Sequence, residues 1–294
     1  ARPAAQSENI YESFLGMDHD FTFLNDSYYG GNVNLWSGNF VMRYTLPYGN
    51  LYSRFPLTLT YNSQADCDIG LGRNVVMNYW AELELIDANT VKLMNGTGTI
   101  DTFTKNPATG RFENDGWYVE ADSQGGYHAV ARGGTYYFDA MGKVTNLQVG
   151  NADVLVIYNS MDYIERMEAG SLAYQFYYEP TGPDTLRCVG IESNYPFALE
   201  YDEQGHLIGG GYAYEPYERD FTLSYTENGL MSGFSMYGED TVPVQYQTID
   251  GYPKVTNYNG TQIVYGKNQT IAIDPNGIVT SWQFDGDGNL IAKT

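Results

Sequence analysis

The sequence predicts an all-β protein built as one long antiparallel sheet of stacked β-hairpins, curled or spiral in shape. Three observations carry this prediction: an excess of tyrosine and glycine, an every-second-residue spacing of apolar side chains, and a recurring turn unit. Tyr supplies 28 of the 294 positions and Gly supplies 33. Aromatic side chains pack well on pleated strands, and glycine accepts the backbone angles of tight turns. The composition therefore favours strands and turns over helices.

Apolar side chains recur at every second position in several segments. Leu57, Leu59 and Tyr61 are separated by Thr58 and Thr60. The same spacing of large apolar side chains occurs at 154–158, 174–178, 197–201 and 221–225. Because successive side chains of a strand point to opposite faces, this period predicts strands with one buried face.

A turn unit repeats through the second half of the chain. Each unit starts with an aromatic or aliphatic residue, usually continues with a polar one, and reaches Gly or a turn shortly afterwards. Seven units begin at Phe138, Tyr158, Tyr178, Tyr201, Tyr225, Ile249 and Ile273, at intervals of 20, 20, 23, 24, 24 and 24 residues. Similar units begin at Phe112 and Phe284. A repeat of this length holds two strands of about eight residues and two turns.

The turns between strands carry explicit hairpin signals. Asn-Gly occurs at 95–96, 228–229, 259–260 and 276–277, and Asp-Gly at 115–116, 250–251, 285–286 and 287–288. These dipeptides tolerate the positive φ of tight hairpin turns, so they favour antiparallel pairing. A right-handed parallel β-helix, whose coils have a similar length, is the alternative architecture.

The charge balance restricts the partners of the chain. Lys and Arg number 15 against 36 Asp and Glu, a formal net charge of −21. Nucleic acid and anionic membrane surfaces are disfavoured, because both need clustered basic residues. The sequence contains no run of about 18 apolar residues, so it predicts no membrane insertion. The acidity fits a solvated surface, or divalent cations held by grouped carboxylates. Cys67 and Cys188 can form a disulfide or remain buried thiols.

No pattern of residues nominates a catalytic, cofactor-binding or metal-ligating group, so we expect no enzyme activity and no cofactor. The three histidines, His19, His128 and His206, are far apart in the sequence. The segment 17–20 places two carboxylates beside His19, an arrangement that a solvated terminus also explains.

An incomplete calcium motif lies near the end of the chain. Asp285, Asp287 and Asn289 occupy the first three ligand positions of an EF-hand loop. The loop requires Gly at its sixth position, where this chain has Leu290. A hairpin turn is the better interpretation.

Four tryptophans, Trp36, Trp80, Trp117 and Trp282, can stack on sugars, although core packing is the usual role of Trp in strand-like segments. Two alternative functions follow. One is a carbohydrate- or cell-surface-binding module that uses exposed Tyr and Trp, with glycans as partners. The other is a β-helical polysaccharide-degrading enzyme.

The units at 138–142, 201–205 and 284–288 resemble the Tyr-Asp repeat of the rearrangement-hotspot (RHS) family. The segments at 31–40, 57–63 and 70–72 are similar to those that open an RHS shell in secreted bacterial members, and 96–103 is similar to the Gly-rich hairpin before the repeats. Arg73 stands where the family often has Trp. The resemblance covers roughly residues 30–294.

The resemblance implies a sheet that spirals into a shell or scaffold around a toxin or effector region absent from this chain. It implies a non-enzymatic structural or encapsulating module of a bacterial protein that is secreted or displayed on the cell surface. We expect a single domain: an N-terminal extension at 1–30, a β-region preceding the repeats at 31–111, and the repeats at 112–294.

Two further expectations concern the end of the repeat region. Self-cleaving relatives use an Asp-Pro motif beyond the repeats, but Asp274-Pro275 lies inside a repeat unit and is interpreted as a turn. The segment 284–294 resembles a shortened repeat, so we expect an exposed sheet edge. Further RHS repeats of the same or another chain are expected to pair with it.

Overall fold

The computed structural model describes residues 23–26, 31–46, 55–98, 100–131, 134–149, 152–213, 218–286 and 288–294. Within these ranges the chain forms 27 β-strands and no helix, which confirms the all-β prediction. None of the described segments is an apolar helix of membrane-spanning length. The segment 17–20, and with it most of the predicted extension at 1–30, lies outside these ranges.

The first five strands form a small antiparallel sheet, called the inner sheet below, in the order in which they follow along the chain. They are β1 (Phe23–Asp26), β2 (Gly31–Asn34), β3 (Phe40–Thr45), β4 (Thr58–Asn62) and β5 (Val75–Met77).

The other 22 strands form one long sheet, called the outer sheet below, in which each strand pairs with the next along the chain. Its first half comprises β6 (Ala81–Asp87), β7 (Thr90–Asn95), β8 (Ile100–Lys105), β9 (Phe112–Asn114), β10 (Trp117–Ala121), β11 (Tyr127–Ala131), β12 (Gly134–Phe138), β13 (Val144–Val149), β14 (Ala152–Tyr158), β15 (Ile164–Ala169) and β16 (Leu172–Gly182). Its second half comprises β17 (Thr185–Glu192), β18 (Pro196–Tyr201), β19 (Leu207–Tyr212), β20 (Phe221–Tyr225), β21 (Met231–Met236), β22 (Val242–Ile249), β23 (Tyr252–Tyr258), β24 (Thr261–Gly266), β25 (Gln269–Ile273), β26 (Val279–Phe284) and β27 (Leu290–Lys293).

All strand pairs described are antiparallel, as the hairpin signals predict. The parallel β-helix is therefore wrong, and a β-helical polysaccharide-degrading enzyme loses the fold it requires. The strands β6–β8 precede residue 112 yet belong to the same sheet as the repeats. The proposed boundaries at 31 and 112 stay predictions.

The outer sheet curls until its first strand meets a later turn. Glu82 of β6 forms a β-bridge with Lys143, and the backbone N–H of Leu83 donates to the carbonyl of Gly142 over 2.8 Å. Seven strands, β6 to β12, thus complete the first turn of the curl. In the described residues β6 and β27 do not pair with each other, so the sheet stays open, as a spiral requires.

The inner sheet lies inside the curl, and this placement corrects the prediction of one-sided burial. All five residues of β4 are buried, including Thr58 and Thr60, which are 4% and 1% exposed. Alternation predicted that the threonines face solvent. They are buried because parts of the outer sheet contact both faces of this strand: Met231 N–H donates to Tyr61 Oη on one face, and Asn62 Nδ2 donates to the Thr97 carbonyl on the other. Thr58 Oγ1 also bonds to Thr45 Oγ1 of β3 over 2.8 Å.

Hydrogen bonds join the inner sheet and its loops to strands far apart in the outer sheet. The Tyr174 hydroxyl accepts from the Leu57 N–H over 3.1 Å and donates to the Phe55 carbonyl over 2.9 Å. Other such bonds run from Cys188 N to Gly70 O, from Met231 N to Tyr61 Oη, from Val255 N to Gly38 O and from Thr270 Oγ1 to Leu35 O. The interior of the curl is therefore filled and cross-linked rather than hollow.

The repeated turn unit has a common construction. In the unit at 138–142, Asp139 Oδ1 accepts from the N–H groups of Met141 and Lys143 over 2.8 and 3.0 Å. The pairing of β12 with β13 shifts by one residue between Tyr137 and Phe138, just before the turn. The shift arises because Thr145 of β13 has no pairing partner in β12. The units beginning at Tyr158, Tyr201 and Ile273 use Asn159, Asp202 and Asp274 in the same way.

The unit at 178–182 departs from this construction. Tyr178 lies inside β16, which continues to Gly182 before its turn. Glu179 stands where the other six of the seven regularly spaced units have Asp, Asn or Thr. A short side chain can accept the N–H groups of the turn that it starts, whereas the longer Glu lacks that geometry. The strand therefore continues and the hairpin is longer.

Tyrosine hydroxyls link four of the seven repeats to the preceding one. The Tyr225 hydroxyl donates to the Leu207 carbonyl over 2.8 Å, and Tyr201 reaches the Cys188 carbonyl over 2.7 Å. Equivalent bonds run from Tyr158 to Val144 and from Tyr178 to Ile164, and Tyr265 makes a similar bond to Val255 within one repeat. These bonds give five of the 28 tyrosines a role in joining neighbouring strands.

Candidate functional site

The two described histidines belong to separate surface arrangements. His128 stacks on Tyr137 at a centroid distance of 5.3 Å and lies 3.3 Å from Glu120. His206 contacts Asp202 over 2.9 Å within its own turn and stacks on Tyr225. In the described ranges no three His, Cys, Asp or Glu side chains are grouped to hold a metal ion. His19 falls outside those ranges.

The acidic motifs of the C-terminal region form hairpin turns. Asp285 accepts from the backbone N–H and from the side-chain Nδ2 of Asn289, each over 2.9 Å. Asp287, the third member of the predicted calcium motif, lies outside the described residues. Asp274 accepts the N–H groups of Asn276 and Ile278, which places the Asp-Pro sequence in a turn.

The four tryptophans are used for packing. Trp80 and Trp282 are 6% and 5% exposed. Trp36 packs against Phe284 at 5.4 Å between ring centroids, and Trp117 is partly buried against the core. The rings of Trp80 and Trp282 are therefore unavailable as a sugar-binding platform. Three tyrosines, Tyr177, Tyr195 and Tyr237, are exposed by 48%, 48% and 64%.

Both cysteines are free thiols in the structure. Burial raises the pKa of Cys67 and of Cys188 to about 12, so both remain protonated at neutral pH. A nucleophilic role requires the thiolate. These cysteines therefore behave as small apolar side chains, the second alternative that the sequence left open.

A cleft of about 260 Å³ follows the seam where β6 meets the turns of later repeats. The Lys143 ammonium lies 2.5 Å from Asp162 and 5.9 Å from the centroid of the Tyr158 ring. Glu82 shares the cleft, and burial raises the pKa of its carboxyl. Asp68, Glu82, Asp162 and Asp184 line the cleft beside a single lysine, and the Lys143–Asp162 ion pair joins the turn after β12 to the turn after β14.

The C-terminal end of the outer sheet has an unpaired edge and an aliphatic surface. In the described residues β27 pairs only with β26. On the outer face beside it, Val264 pairs with Ile271 and Ile273 pairs with Val279 across neighbouring strands. Val264 and Val279 are 54% and 59% exposed. We call Val264, Ile271, Ile273 and Val279 the aliphatic patch.

The sequence predicted the free edge but did not identify the aliphatic patch. The signal was present, because both faces of β24–β26 carry β-branched residues. Period-two alternation alone cannot decide which of two apolar faces is buried.

No family model matches the sequence, and no curated protein matches it. Among solved structures, the chain is similar to the Tc holotoxin pore of Photorhabdus luminescens, at 13% identity over 90% of this chain and 18% of that chain, with a TM-score of 0.29. It is also similar to a porin-like protein from Bacteroides uniformis, at 12% identity over 75% of this chain and 96% of that chain, with a TM-score of 0.27. The chain spans less than a fifth of the Tc holotoxin chain.

Proposed function

We propose that the chain is a non-enzymatic structural module of the RHS type, the filled end of a longer β-sheet scaffold. The inner sheet carries this proposal, because it occupies the curl and bonds to strands from β16 to β25. A body cross-linked in this way holds its shape without a ligand, as a scaffold must. In this proposal the module is part of a protein that a bacterium secretes or displays on its surface.

Encapsulation in this proposal belongs to strands that follow β27. A shell needs free interior space for its toxin or effector region. In the described part of this chain, aromatic rings such as Phe40, Tyr61 and Phe234 take that space, each 1% exposed or less. The chain then acts as the base from which a wider sheet extends.

The partner in this proposal is another antiparallel strand, from further RHS repeats of the same or another chain, that pairs with β27. Thr294 exchanges both backbone hydrogen bonds with Ser281 of β26, over 2.8 and 2.9 Å. Because bonded and non-bonded pairs alternate along an antiparallel ladder, Lys293 directs its N–H and C=O to the free side. An unpaired edge next to exposed aliphatic residues favours association.

Light scattering on the 294-residue chain tests the edge pairing. We expect a concentration-dependent mass above the 32.9 kDa of one chain. Lys293→Pro removes the free N–H while leaving the bonds to β26 intact, so it is expected to return the chain to a monomer. Lys293→Ala keeps the N–H and serves as the control that still associates. A monomer at all concentrations, with protected β27 amides, contradicts the proposal.

A further inference from the structure

A polar groove of about 460 Å³ lies on the outer face of β15, β16 and β17. Arg166, Gln175 and Glu192 face one another across these three strands and line it. Two turns, which contain Ser171 and Asn194, border it. Its volume is within the roughly 300–1,000 Å³ usual for small-molecule sites.

Tyr177 provides a fixed aromatic surface in this groove. The tyrosine pairs with Gly190 across the strands, and a Cβ atom on Gly190 would lie only 3.8 Å from Tyr177 Cδ2. The ring therefore rests beside a residue without a side chain, where it is 48% exposed. Its hydroxyl donates to Glu192 Oε2 over 2.6 Å, and this bond raises the pKa of Tyr177. The ring is held in place before any ligand arrives.

Several polar atoms of the groove have unused hydrogen-bonding capacity. Ser193 Oγ is buried and has no partner among the described residues, which is unusual for a buried hydroxyl. Gln175 uses its Nε2 to donate to the Glu165 carbonyl over 2.9 Å, which leaves its Oε1 as an acceptor. Arg166 bonds to Glu168 through Nε over 2.5 Å, which leaves its Nη groups as donors.

We infer that this groove binds a neutral saccharide, whose ring lies against Tyr177 and whose hydroxyls bond to Ser193, Gln175 and Arg166. A sugar ring offers a C–H face to the aromatic ring, and each of its hydroxyls can donate and accept. An anionic glycan is disfavoured, because Glu168 and Glu192 border the site and the chain carries a net charge of −21. The site is independent of the β27 edge.

A glycan array with neutral and acidic glycans, followed by saturation-transfer NMR on the bound glycans, tests this inference. Tyr177→Ala is expected to weaken binding of the neutral saccharide about tenfold, the effect of losing one aromatic contact. Ser193→Ala removes only the unpartnered hydroxyl and is expected to weaken binding several-fold. Tyr237→Ala, at an exposed tyrosine in the turn after β21, is the control and is expected to bind normally.

Three results overturn the inference: no glycan bound at millimolar concentration, binding of acidic glycans only, or binding that Tyr177→Ala leaves unchanged. Because Tyr177 lies on the outer face, the thermal midpoint of the Tyr177→Ala variant is expected to stay close to that of the parent chain. If that midpoint falls by a large amount, Ser193→Ala is the variant that tests binding. Light scattering measures pairing at the β27 edge independently of glycan binding. A failure of the edge-pairing proposal can therefore be distinguished from a failure of the saccharide proposal.

Discussion

The tyrosines that end the strands act as single-residue links between repeats. The Tyr225 side chain is packed against the core, and its hydroxyl satisfies the Leu207 carbonyl. Tyr225→Phe keeps the ring, and with it the stack on His206, but leaves that carbonyl without its partner. We expect a loss of about 1–2 kcal/mol in the free energy of unfolding, measured by urea denaturation.

Tyr177→Phe is the matched control for this loss. The Tyr177 hydroxyl bonds to Glu192 on the exposed outer face, where water can replace it. Its removal is expected to cost less than about 0.5 kcal/mol. Equal losses in the two variants contradict the linking role of Tyr225.

Buried tyrosines also predict how stability depends on pH. Burial raises the pKa of Tyr61 and of Tyr79 from the ordinary 10.0 to about 12, and raises the pKa of Tyr201 and of Tyr225 as well. A group with a raised pKa in the folded state contributes stability fully below its unfolded pKa, and this contribution is lost as pH rises. We therefore expect the thermal midpoint to fall between pH 10 and pH 12.

Tyrosinate absorbance near 295 nm, recorded together with the thermal midpoint, measures this effect. The buried tyrosines are expected to ionise together with unfolding. A midpoint that is constant up to pH 12 contradicts the prediction.

At the scale of one element, the turn between β12 and β13 closes the first turn of the curl. Gly142 has a φ of 84°, and a Cβ there would lie 1.8 Å from the Leu83 carbonyl oxygen of β6. Gly277 has nearly the same φ, 82°, in a turn of the same construction, and a Cβ there meets nothing within 4 Å. Substitutions at these two glycines therefore separate the cost of the contact with β6 from the cost of a positive φ.

Gly277→Ala is expected to cost about 1 kcal/mol, from the positive φ alone. Gly142→Ala adds the clash with β6 and is expected to cost at least about 2 kcal/mol more and to increase hydrogen exchange at Leu83. Similar losses in both variants mean that the seam contributes little to the curl.

At the scale of the whole molecule, the inner sheet makes the repeats a single cooperative unit. Phe40 is fully buried and contacts the rings of Tyr61, Phe234 and Tyr258 at centroid distances of 6.2, 5.8 and 6.0 Å. Its contacts therefore join β3 and β4 to β21 and β23. A repeat array alone is stabilised only by contacts between neighbours and can unfold from an end.

Phe40→Ala is expected to lower the free energy of unfolding by about 3–5 kcal/mol. Hydrogen exchange monitored by mass spectrometry is expected to increase together in β3, β4, β21 and β23. Phe103→Ala removes an equally buried ring in β8 and is the control for a generic loss of core volume. Exchange that increases in β3 and β4 alone contradicts cooperative packing.

The strands and most of their turns can be predicted from the sequence. Period-two alternation, Asn-Gly and Asp-Gly pairs, and the spaced units at Phe138, Tyr158 and Tyr201 specify antiparallel hairpins because side-chain direction and positive φ are local properties. The aromatic residues at strand ends were also visible, although the carbonyl that each hydroxyl reaches was not.

Which residues lie inside the curl and which stay exposed depends on how distant strands pack together. Thr58 and Thr60 read as solvent-facing residues and are buried, because parts of the outer sheet contact both faces of the strand. The groove at Tyr177 joins residues from three strands and two turns, and the aliphatic patch depends on which of two apolar faces turns outward. Burial depends on contacts between residues that are distant in the chain, and such contacts leave no period in a single sequence.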